Sequence, residues 1–338
     1  MELHPGLNVF LGANAQGKTS VLEAIGLLAR GRSFRTDDSA SLVRRGRPGL
    51  RVGARVLSRE RETALEVEIG AEGRVYRVDG KDVRPSDYRG RLEAIVYSTE
   101  RLRVVRGSMR ERREYVDRGG SALWPAYAQA AREFERVHRQ RNAALERRSS
   151  DLPAWDERFA VQGARLRVRR ADYVARLAAE LPKVFRPRGE VYGIELPAET
   201  RGAEAEQRSR LEEALDKGRG QEARAGRCLF GPHRDPVALT IDGREASGEA
   251  SAGQARSLLL ALSLAALAVF RQERGRSAVA LLDDLDSELD EERALALCAE
   301  VAAAGQALVT TAHPGWAERV RHLGRLHHVS AGEVRCAS

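Results

Sequence analysis

Hydrophobic and polar residues follow different periods along the chain, and each period predicts a different kind of element. The apolar run Val9–Leu11 precedes a glycine-rich loop, and apolar residues between Thr19 and Ala29 then recur at helical spacing. This order predicts a strand, a loop and a helix. From residue 50 to 83 the period falls to two, with turn residues at 71–73 and 79–80, which predicts an antiparallel β region.

The middle of the chain has helical patterns. Pro125 is placed to open a helix, and the residues that follow it recur at spacings of three and four as far as Leu145. A second run of this kind extends from Trp155 to Leu181, after a polar break at 149–154. The two runs predict an antiparallel helical hairpin that projects from a body, although an ordinary helical subdomain fits the same pattern. Residues 187–221 are polar and weakly patterned.

One strand pattern precedes this helical region, and strand and helix patterns alternate after it. The strand pattern before the helical region is Ala94–Tyr97. The patterns after it are Cys228–Ile241 (strand character), Ser251–Arg271 (apolar helix), Ala278–Leu282 (strand), Glu291–Ala304 (helix), Ala307–Thr311 (strand) and a final strand pair. The run Ala278–Leu282 is fully apolar and ends in carboxylates, as a buried parallel strand does. The alternation favours the α/β class.

Composition limits the classes of protein that fit. The 338 residues suit two domains of ordinary size, and 42% hydrophobic with 31% charged residues excludes a disordered chain. The longest apolar run, Leu258–Phe270, is shorter than the roughly 20 residues of a membrane span, so we expect no such span. Residues 1–10 lack the apolar core of a secretory signal. Three cysteines without metal spacing indicate a reducing, cytoplasmic compartment.

The chain is basic, with 57 Lys and Arg against 49 Asp and Glu and a formal net charge of +8. Such a balance is compatible with polyanion binding but is weak evidence for it. All but four of the basic residues are arginines, which we interpret as codon bias rather than function.

The glycine-rich loop carries the first chemical motif. Residues 12–19 read Gly-Ala-Asn-Ala-Gln-Gly-Lys-Thr, which fits the phosphate-binding pattern Gly-x-x-x-x-Gly-Lys-Ser/Thr between a strand and a helix. Backbone N–H groups would face the phosphates, Lys18 would reach the β- and γ-phosphates, and Thr19 would ligate Mg²⁺. The predicted nucleotide-binding residues here are Gly12, Ala13, Asn14, Ala15, Gln16, Gly17, Lys18, Thr19 and Ser20.

The strand that ends at Leu282 is followed by Asp283 and Asp284, the acids that a phosphate-binding loop requires as partners. Asp283 would hold Mg²⁺ through water, and Asp284 would orient or deprotonate the attacking water. Lys18, Asp283 and Asp284 are therefore the predicted catalytic residues, with Thr19 and Asp283 at the metal.

Ser251-Ala252-Gly253-Gln254 opens the apolar helix, 32 residues before Asp283. A serine N-cap with a turn glycine would explain these residues without any ligand. They also resemble the ABC-ATPase signature, in which this helix end faces the γ-phosphate bound by the opposite subunit. That resemblance adds Ser251, Gly253 and Gln254 to the nucleotide site and predicts an ATP-sandwiched homodimer.

Two further segments resemble ABC elements. Ser287–Asp290 resembles the D-loop, and His313 matches the switch histidine that senses the γ-phosphate, although its setting is also that of a simple turn. The 233 residues between Lys18 and Ser251 are too many for a transporter ATPase and too few for a long coiled coil. An ATPase head with a modest helical arm fits this distance.

These motifs together resemble the RecF family of bacterial recombination-mediator ATPases. The P-loop wording is typical of it, and further matching segments are Gly31–Thr36, Arg112–Asp117, Gln140–Ala143, Gly231–Asp235, Leu282–Asp284 and Ser287–Asp290. The matching segments extend over nearly the whole chain, and they occur in the same order as in the family. It implies an α/β fold: a P-loop, SMC-like ABC-ATPase head with an antiparallel β region and an inserted helical-hairpin arm domain. The expected domains are 1–105 and 225–338 for the ATPase lobe and 106–224 for the arm.

The resemblance also implies a function. It predicts an ATP- and Mg²⁺-dependent protein of DNA replication and repair that binds single-stranded, double-stranded and gapped DNA. It would dimerise on ATP, hydrolyse it slowly as a switch, and help RecR and RecO to load RecA. The basic stretch 101–118 would contact DNA or, equally well, form a solvated helix face.

The sequence departs from the family in two places. Members normally begin with a strand upstream of the pattern that this sequence joins at Met1, so we expect a misassigned start or a truncation. Members of the family usually have Pro-Glu-Asp-Leu after the strand 94–97, where this chain has Thr-Glu-Arg-Leu at 99–102. We therefore assign the family's role at this segment to Glu100 alone. The alternatives are the ATPase subunit of an ABC transporter and another SMC-like ATPase, and Ala252 in place of a signature glycine argues against the former.

Overall fold

A computed structural model describes residues 1–36, 38–58, 61–184, 189–285 and 291–337. Its strands are β1 (Leu7–Leu11), β2 (Gly49–Ser58), β3 (Arg61–Gly70), β4 (Gly73–Val78), β5 (Lys81–Val83), β6 (Ala94–Tyr97), β7 (Tyr192–Glu195), β8 (Ala238–Ile241), β9 (Arg244–Glu245), β10 (Val279–Leu282), β11 (Ala307–Thr311), β12 (Gly324–Ser330) and β13 (Glu333–Cys336). Its helices are α1 (Lys18–Arg30), α2 (Pro85–Tyr88), α3 (Arg103–Arg106), α4 (Met109–Leu123), α5 (Pro125–Glu146), α6 (Leu152–Glu180), α7 (Glu204–Ala225), α8 (Ala246–Glu249), α9 (Ala252–Arg274), α10 (Glu291–Ala304) and α11 (Pro314–Val320).

The chain divides into two compact units, one formed by residues 1–101 with 270–338 and the other by residues 102–269. Packing thus groups 225–269 with the helical residues. The domains expected from the sequence place 225–338 in the ATPase lobe because they follow the order of the motifs along the chain. That domain division stays a prediction. The α/β ABC-ATPase head predicted from the sequence is confirmed by the architecture and by the solved structures compared below.

A six-stranded sheet in the order β13-β12-β1-β11-β10-β6 organises the first unit. Its strands from β12 to β6 are parallel, and only β13 is antiparallel to its neighbour. Both β1 and β11 are buried along their whole length, which explains why they read as continuous apolar runs. Because the strands are parallel, the carboxyl ends of β1, β11 and β10 meet at one edge of the sheet.

The antiparallel β region predicted between residues 50 and 83 is confirmed as the four-stranded sheet β2-β3-β4-β5. Alternate residues of β3, namely Leu65, Val67 and Ile69, are buried, whereas their neighbours are more exposed. They pack in one cluster with Leu27 and Leu28 of α1. The two-residue period of the sequence therefore marks the face that covers the first helix.

The second unit contains the predicted helical pair as α5 and α6, together with a third long helix that the sequence pattern did not indicate. Residues 204–225 form α7, which packs on α6, and Leu211 of α7 is fully buried against Ala160 and Ala164 of α6. Most other positions of α7 are polar and exposed. Its apolar stripe is thus narrow, and tertiary packing rather than periodicity stabilises the helix.

Buried arginines bound to carboxylates hold this unit together. Arg170 donates to Asp117 at 2.8 and 3.0 Å, and Arg112 donates to Glu245 at 2.6 Å. Both arginines are almost inaccessible to solvent. Arg112 belongs to the basic stretch 101–118, so this residue is part of the core and is not available to a DNA surface or a solvated face.

The segment Gly231–Asp235 has a structural role in the same unit. His233 stacks on His138 with ring centroids 4.1 Å apart, and its Nε2 lies 3.2 Å from the carbonyl oxygen of Cys228. Burial lowers the pKa of His233 to about 3. Asp235 accepts two hydrogen bonds from Arg167, at 2.8 and 2.7 Å. The segment therefore joins helices through a neutral histidine pair and a bidentate ion pair.

Helix α9 is the one helix among the described residues that is long and apolar enough to cross a membrane. It has 23 residues, more than the apolar run at its centre suggested, and 72% of its most apolar stretch is buried inside the protein. This burial is what a core helix requires.

We predict that Glu222→Ala destabilises the helical unit by about 3–5 kcal/mol, because it leaves the buried guanidinium of Arg141 without one of its two carboxylates. Urea unfolding followed by circular dichroism measures the change. The matched control is Glu213→Ala on the same helix, which removes an exposed i,i+4 pair with Lys217 and should cost less than about 0.5 kcal/mol. Equal losses of stability in the two variants would contradict the conclusion that the buried pair of Arg141 and Glu222 stabilises this unit.

Candidate functional site

The loop between β1 and α1, which the sequence predicts to bind phosphate, forms a tight turn. Ala15 and Gly17 have positive φ values of 65° and 100°, and the N–H of Gly12 donates to the carbonyl oxygen of Thr311 at 3.2 Å. A Cβ on Gly12 would lie 2.3 Å from the carbonyl oxygen of Val329. The first glycine is therefore required by the neighbouring strand β12, and Gly17 by its backbone conformation.

Lys18 is buried inside this loop. Its Nζ donates to the carbonyl oxygens of Gly12 at 2.8 Å and Ala13 at 3.1 Å. An ammonium held at this position can exchange carbonyl oxygens for phosphate oxygens beside the N-terminus of α1. The remaining predicted residues at 13–15 and Ser20 are exposed on the loop and in the first turn of the helix.

A chain of hydrogen bonds connects the loop to the end of β10. Thr19 Oγ1 donates to Asp283 Oδ1 at 3.0 Å, and Thr310 Oγ1 donates to the same oxygen at 2.7 Å. The N–H of Asp284, whose φ is 56°, donates to Thr310 Oγ1 at 2.8 Å. The structure thus brings the predicted loop and the predicted acids together, and Thr310 is an additional member that the sequence did not indicate.

Burial raises the pKa of the Asp283 carboxyl, and the hydrogen bonds from Thr310 and Thr19 oppose that effect only in part. A buried carboxylate beside a threonine hydroxyl is a suitable donor pair for Mg²⁺, which prefers few protein oxygens and several waters. A bound cation would also stabilise the charged carboxylate. The residues present therefore fit the predicted metal.

His313 lies at the same edge of the sheet as the loop. It follows β11, the parallel neighbour of β1, and its N–H donates to Thr311 Oγ1 at 2.9 Å. The side chain is exposed at the start of α11. Its predicted role at the γ-phosphate stays a prediction.

The segment that resembles the ABC signature lies in the other compact unit, at the start of α9. The N–H of Ser251 donates to Gln254 Oε1 at 2.9 Å, and the N–H of Gln254 donates to Ser251 Oγ at 3.2 Å. This reciprocal pair is a capping box, so Ser251 is the N-cap as interpreted, whereas Gly253 lies within the helix and not in a turn. Ser251 is also exposed, which leaves a nucleotide role open as a prediction. The predicted D-loop, Ser287–Asp290, lies outside the described residues.

Two interactions were not predicted, and the first holds Gln16 of the loop. Gln16 Oε1 accepts the N–H of Ala331 at 2.7 Å, and its carbonyl oxygen accepts the N–H of Gly332 at 3.0 Å. The turn between β12 and β13 therefore holds Gln16, whose side chain is committed to that turn. More than 300 residues separate the partners, so no local pattern could reveal the contact.

The second unpredicted interaction involves Glu100, which follows β6. Its carboxylate accepts two hydrogen bonds from Arg35 Nε, at 3.0 and 3.1 Å. Arg35 also lies 3.7 Å from Glu23 of α1. The segment after α1 is thereby tied both to the helix and to the strand beside β10.

Comparisons with known proteins agree with this geometry. The family model described as the RecF/RecN/SMC N-terminal domain matches residues 1–335. Proteins described as "DNA replication and repair protein RecF" from Heliobacterium modesticaldum and Kineococcus radiotolerans are 33% and 36% identical. Each alignment covers 99% of this chain, and 94% and 95% of the respective relative.

Solved structures give the same result. Two structures of the recombination mediator protein RecF in the RecFOR pathway, with ATPrS and with ATP, match with TM-scores of 0.88 and 0.89 at 26% identity. Both cover 100% of this chain and 94% of the other. The SMC head domain from Pyrococcus furiosus shares the fold, with a TM-score of 0.55 at 13% identity over 98% of this chain and 89% of the other.

The fold and the motifs at the sheet edge define an SMC-like head of the ABC-ATPase class. Within that class, the chain belongs to the RecF family of DNA replication and repair proteins.

We predict that Gly12→Ala weakens ATP binding and lowers stability by about 1–3 kcal/mol, since the new methyl group would overlap a backbone carbonyl of β12. Fluorescent-nucleotide titration and thermal unfolding measure the two effects. Gly315→Ala is the control, because a Cβ there meets no atom within 4 Å. A Gly12→Ala protein that melts and binds like the wild type would disprove the close approach.

Proposed function

We propose that this protein is an ATP-dependent, DNA-binding recombination mediator that acts at single-strand gaps in DNA repair and replication. It dimerises on ATP, hydrolyses it slowly as a switch, and works with RecR and RecO in the cytoplasm to help load RecA. The observation that carries the proposal is the hydrogen-bonded chain from Thr19 through Asp283 to Thr310, because it joins a phosphate-binding loop to an acidic strand end.

Each residue of this site has a distinct task in hydrolysis. Lys18 balances the charge of the β- and γ-phosphates inside the loop. Thr19 and Asp283 would hold Mg²⁺, which supplies further charge neutralisation of the phosphates. Asp284 orients the attacking water or accepts its proton, and its N–H bond to Thr310 fixes it at the strand end.

The relatives support the finer parts of the proposal. The solved RecF structures contain ATP or ATPrS and are described as part of the RecFOR pathway, which motivates the assignment of ATP, RecR and RecO to this chain. The net charge of +8 is in keeping with DNA as the partner. A transporter ATPase subunit is the alternative function that the experiment below must exclude.

We predict that gapped DNA stimulates ATP turnover and that Lys18→Ala reduces turnover by about 10²-fold or more, because the substitution removes a charged donor to the transferred phosphate. Release of phosphate measures the rate. Lys81→Ala, an exposed lysine on β5, is the control and should leave turnover unchanged. Turnover that is insensitive to DNA, in a protein that sediments with membranes, would favour the transporter alternative.

The proposed dimer rests on the start of α9. Ser251 and Ala252 are exposed there, and the first N–H groups of a helix attract negative charge. In the signature arrangement that these residues resemble, such a helix end closes on nucleotide held by the opposite subunit. ATP would then contribute the charge that draws the two copies together.

We expect ATP with Mg²⁺ to convert the Asp284→Asn protein, in which hydrolysis is slowed, from one copy to two in light scattering. Adding Ser251→Arg should abolish that conversion, since the long side chain would fill the space at the helix end into which nucleotide on the opposite copy must fit. Nucleotide binding to one copy should persist. Ser209→Arg, exposed on α7 of the same unit, is the matched control. A dimer that forms with Ser251→Arg would count against the signature assignment.

A further inference from the structure

A cavity of about 270 Å³ lies beside the segment that follows α1, within the first unit. It is lined by Arg32, Ser33, Thr36, Ser39, Leu42 and Arg74. Five of these six side chains carry hydrogen-bond donors, and none is acidic. A cavity with this lining is suited to an anion with several oxygens, such as a phosphate group.

The cavity differs from the phosphate-binding loop. Arg74 fixes its position by donating to the carbonyl oxygen of Gly31, which caps the C-terminal end of α1. Lys18 stands at the opposite end of this helix, and none of the residues that line the cavity belongs to the loop 12–19. The anion that the cavity accepts is therefore not the phosphate chain bound by Lys18 and Thr19.

Arg74 is preorganised for such a ligand. Besides its bond to Gly31, it donates to Ser39 Oγ at 2.6 Å, so the planar guanidinium is held on both sides. Its Nε is buried and has no hydrogen-bond partner within the part of the chain that the structure describes. A buried donor of this kind gains most from a charged acceptor.

Two of the three hydroxyl groups at the cavity are also free to donate. Ser39 Oγ accepts from Arg74, and Thr36 Oγ1 accepts the N–H of Asp38 at 3.0 Å, so each retains its own proton for a ligand. Ser33 instead donates to Glu23. This bond, together with Arg35, engages the nearby carboxylate of Glu23.

Arg32 supplies an exposed positive charge at the site. Its side chain is exposed and forms no ion pair or hydrogen bond with any described residue. Asp38 is the described acid closest in sequence, and its Oδ1 accepts the N–H of Ala40 at 2.9 Å. An arginine without a protein carboxylate can bind a phosphate bidentately.

Three more arginines follow in the next turn. Arg44, Arg45 and Arg47 are exposed, and their side chains form no hydrogen bond or ion pair with the described residues. The N–H of Arg47 donates to the carbonyl oxygen of Arg44 at 2.9 Å. The sequence from 31 to 48 contains five arginines against only two acids, Asp37 and Asp38. This surface carries more positive charge than one phosphate group can neutralise.

We propose that the cavity binds one phosphodiester group of a DNA strand, held by Arg32 and Arg74, and that the turn 44–47 contacts neighbouring phosphates. The inference rests on the proposed DNA binding and assigns it a location. A polynucleotide is favoured over a free phosphate because the arginines continue beyond the cavity along one segment. The contacts are to the backbone, so binding here is independent of DNA sequence.

Fluorescence anisotropy with a labelled gapped duplex, at several salt concentrations, tests the proposal. Arg32→Ala should weaken binding and make the slope of log K against log salt less negative by about 0.9, the value for one lost phosphate contact. Arg32→Lys should retain most of the slope because it keeps the charge. The triple variant R44A/R45A/R47A should flatten the slope further, and Arg89→Ala, an exposed arginine elsewhere in this unit, should not change it.

Fluorescent-ATP titration and thermal unfolding of the same variants complete the design. Unchanged ATP affinity and melting temperature, with the flattened slope, support the proposal. A slope equal to that of the wild type in both Arg32→Ala and the triple variant overturns it. So does a loss of ATP affinity with unchanged DNA binding, or DNA binding that inorganic phosphate abolishes equally in wild type and Arg32→Ala. A wild-type chain that binds ATP but no DNA would overturn the proposed function as well.

Discussion

The parallel pairing of β1 with β11, and of β11 with β10, is the constraint on which the nucleotide site depends. Parallel strands end at the same edge, so the loop after β1 and the acids after β10 are brought together although 264 residues separate Thr19 from Asp283. Thr310 of β11 then forms hydrogen bonds with both acids, Asp283 and Asp284. With a different strand order, the loop after β1 and the acids after β10 would both be present but would not lie in one site.

The loop itself is shaped by elements far from it in the chain. β12 restricts position 12 to glycine, and the turn after β12 binds both the side chain and the carbonyl of Gln16. The phosphate-binding conformation is thus supported by the C-terminal strands rather than by the loop alone. Preorganised N–H groups stabilise charge because they need not reorient when it arrives.

Arginine has two physically different uses in this protein. In the helical unit Arg112, Arg141 and Arg170 are buried and bound to carboxylates, so they specify packing and contribute no external field. In the segment after α1, Arg32, Arg44, Arg45 and Arg47 are exposed and form no ion pair with a described carboxylate, and the residues that line the cavity beside them include no acid. The high arginine content alone could not distinguish these uses, because burial and pairing depend on which carboxylates the fold brings near.

Local sequence patterns were sufficient to predict most of the elements and to locate the motifs. The two-residue period from 50 to 83 and the apolar runs of β1 and β10 are local patterns, and each predicted the element that the structure shows. The glycines before Lys18 likewise predicted a loop between a strand and a helix. Only the tertiary structure decided the rest: the polar helix α7, the roles of Gln16 and Thr310, and the burial of Arg112. Those features depend on contacts between residues distant in sequence, whose free energy no local periodicity records.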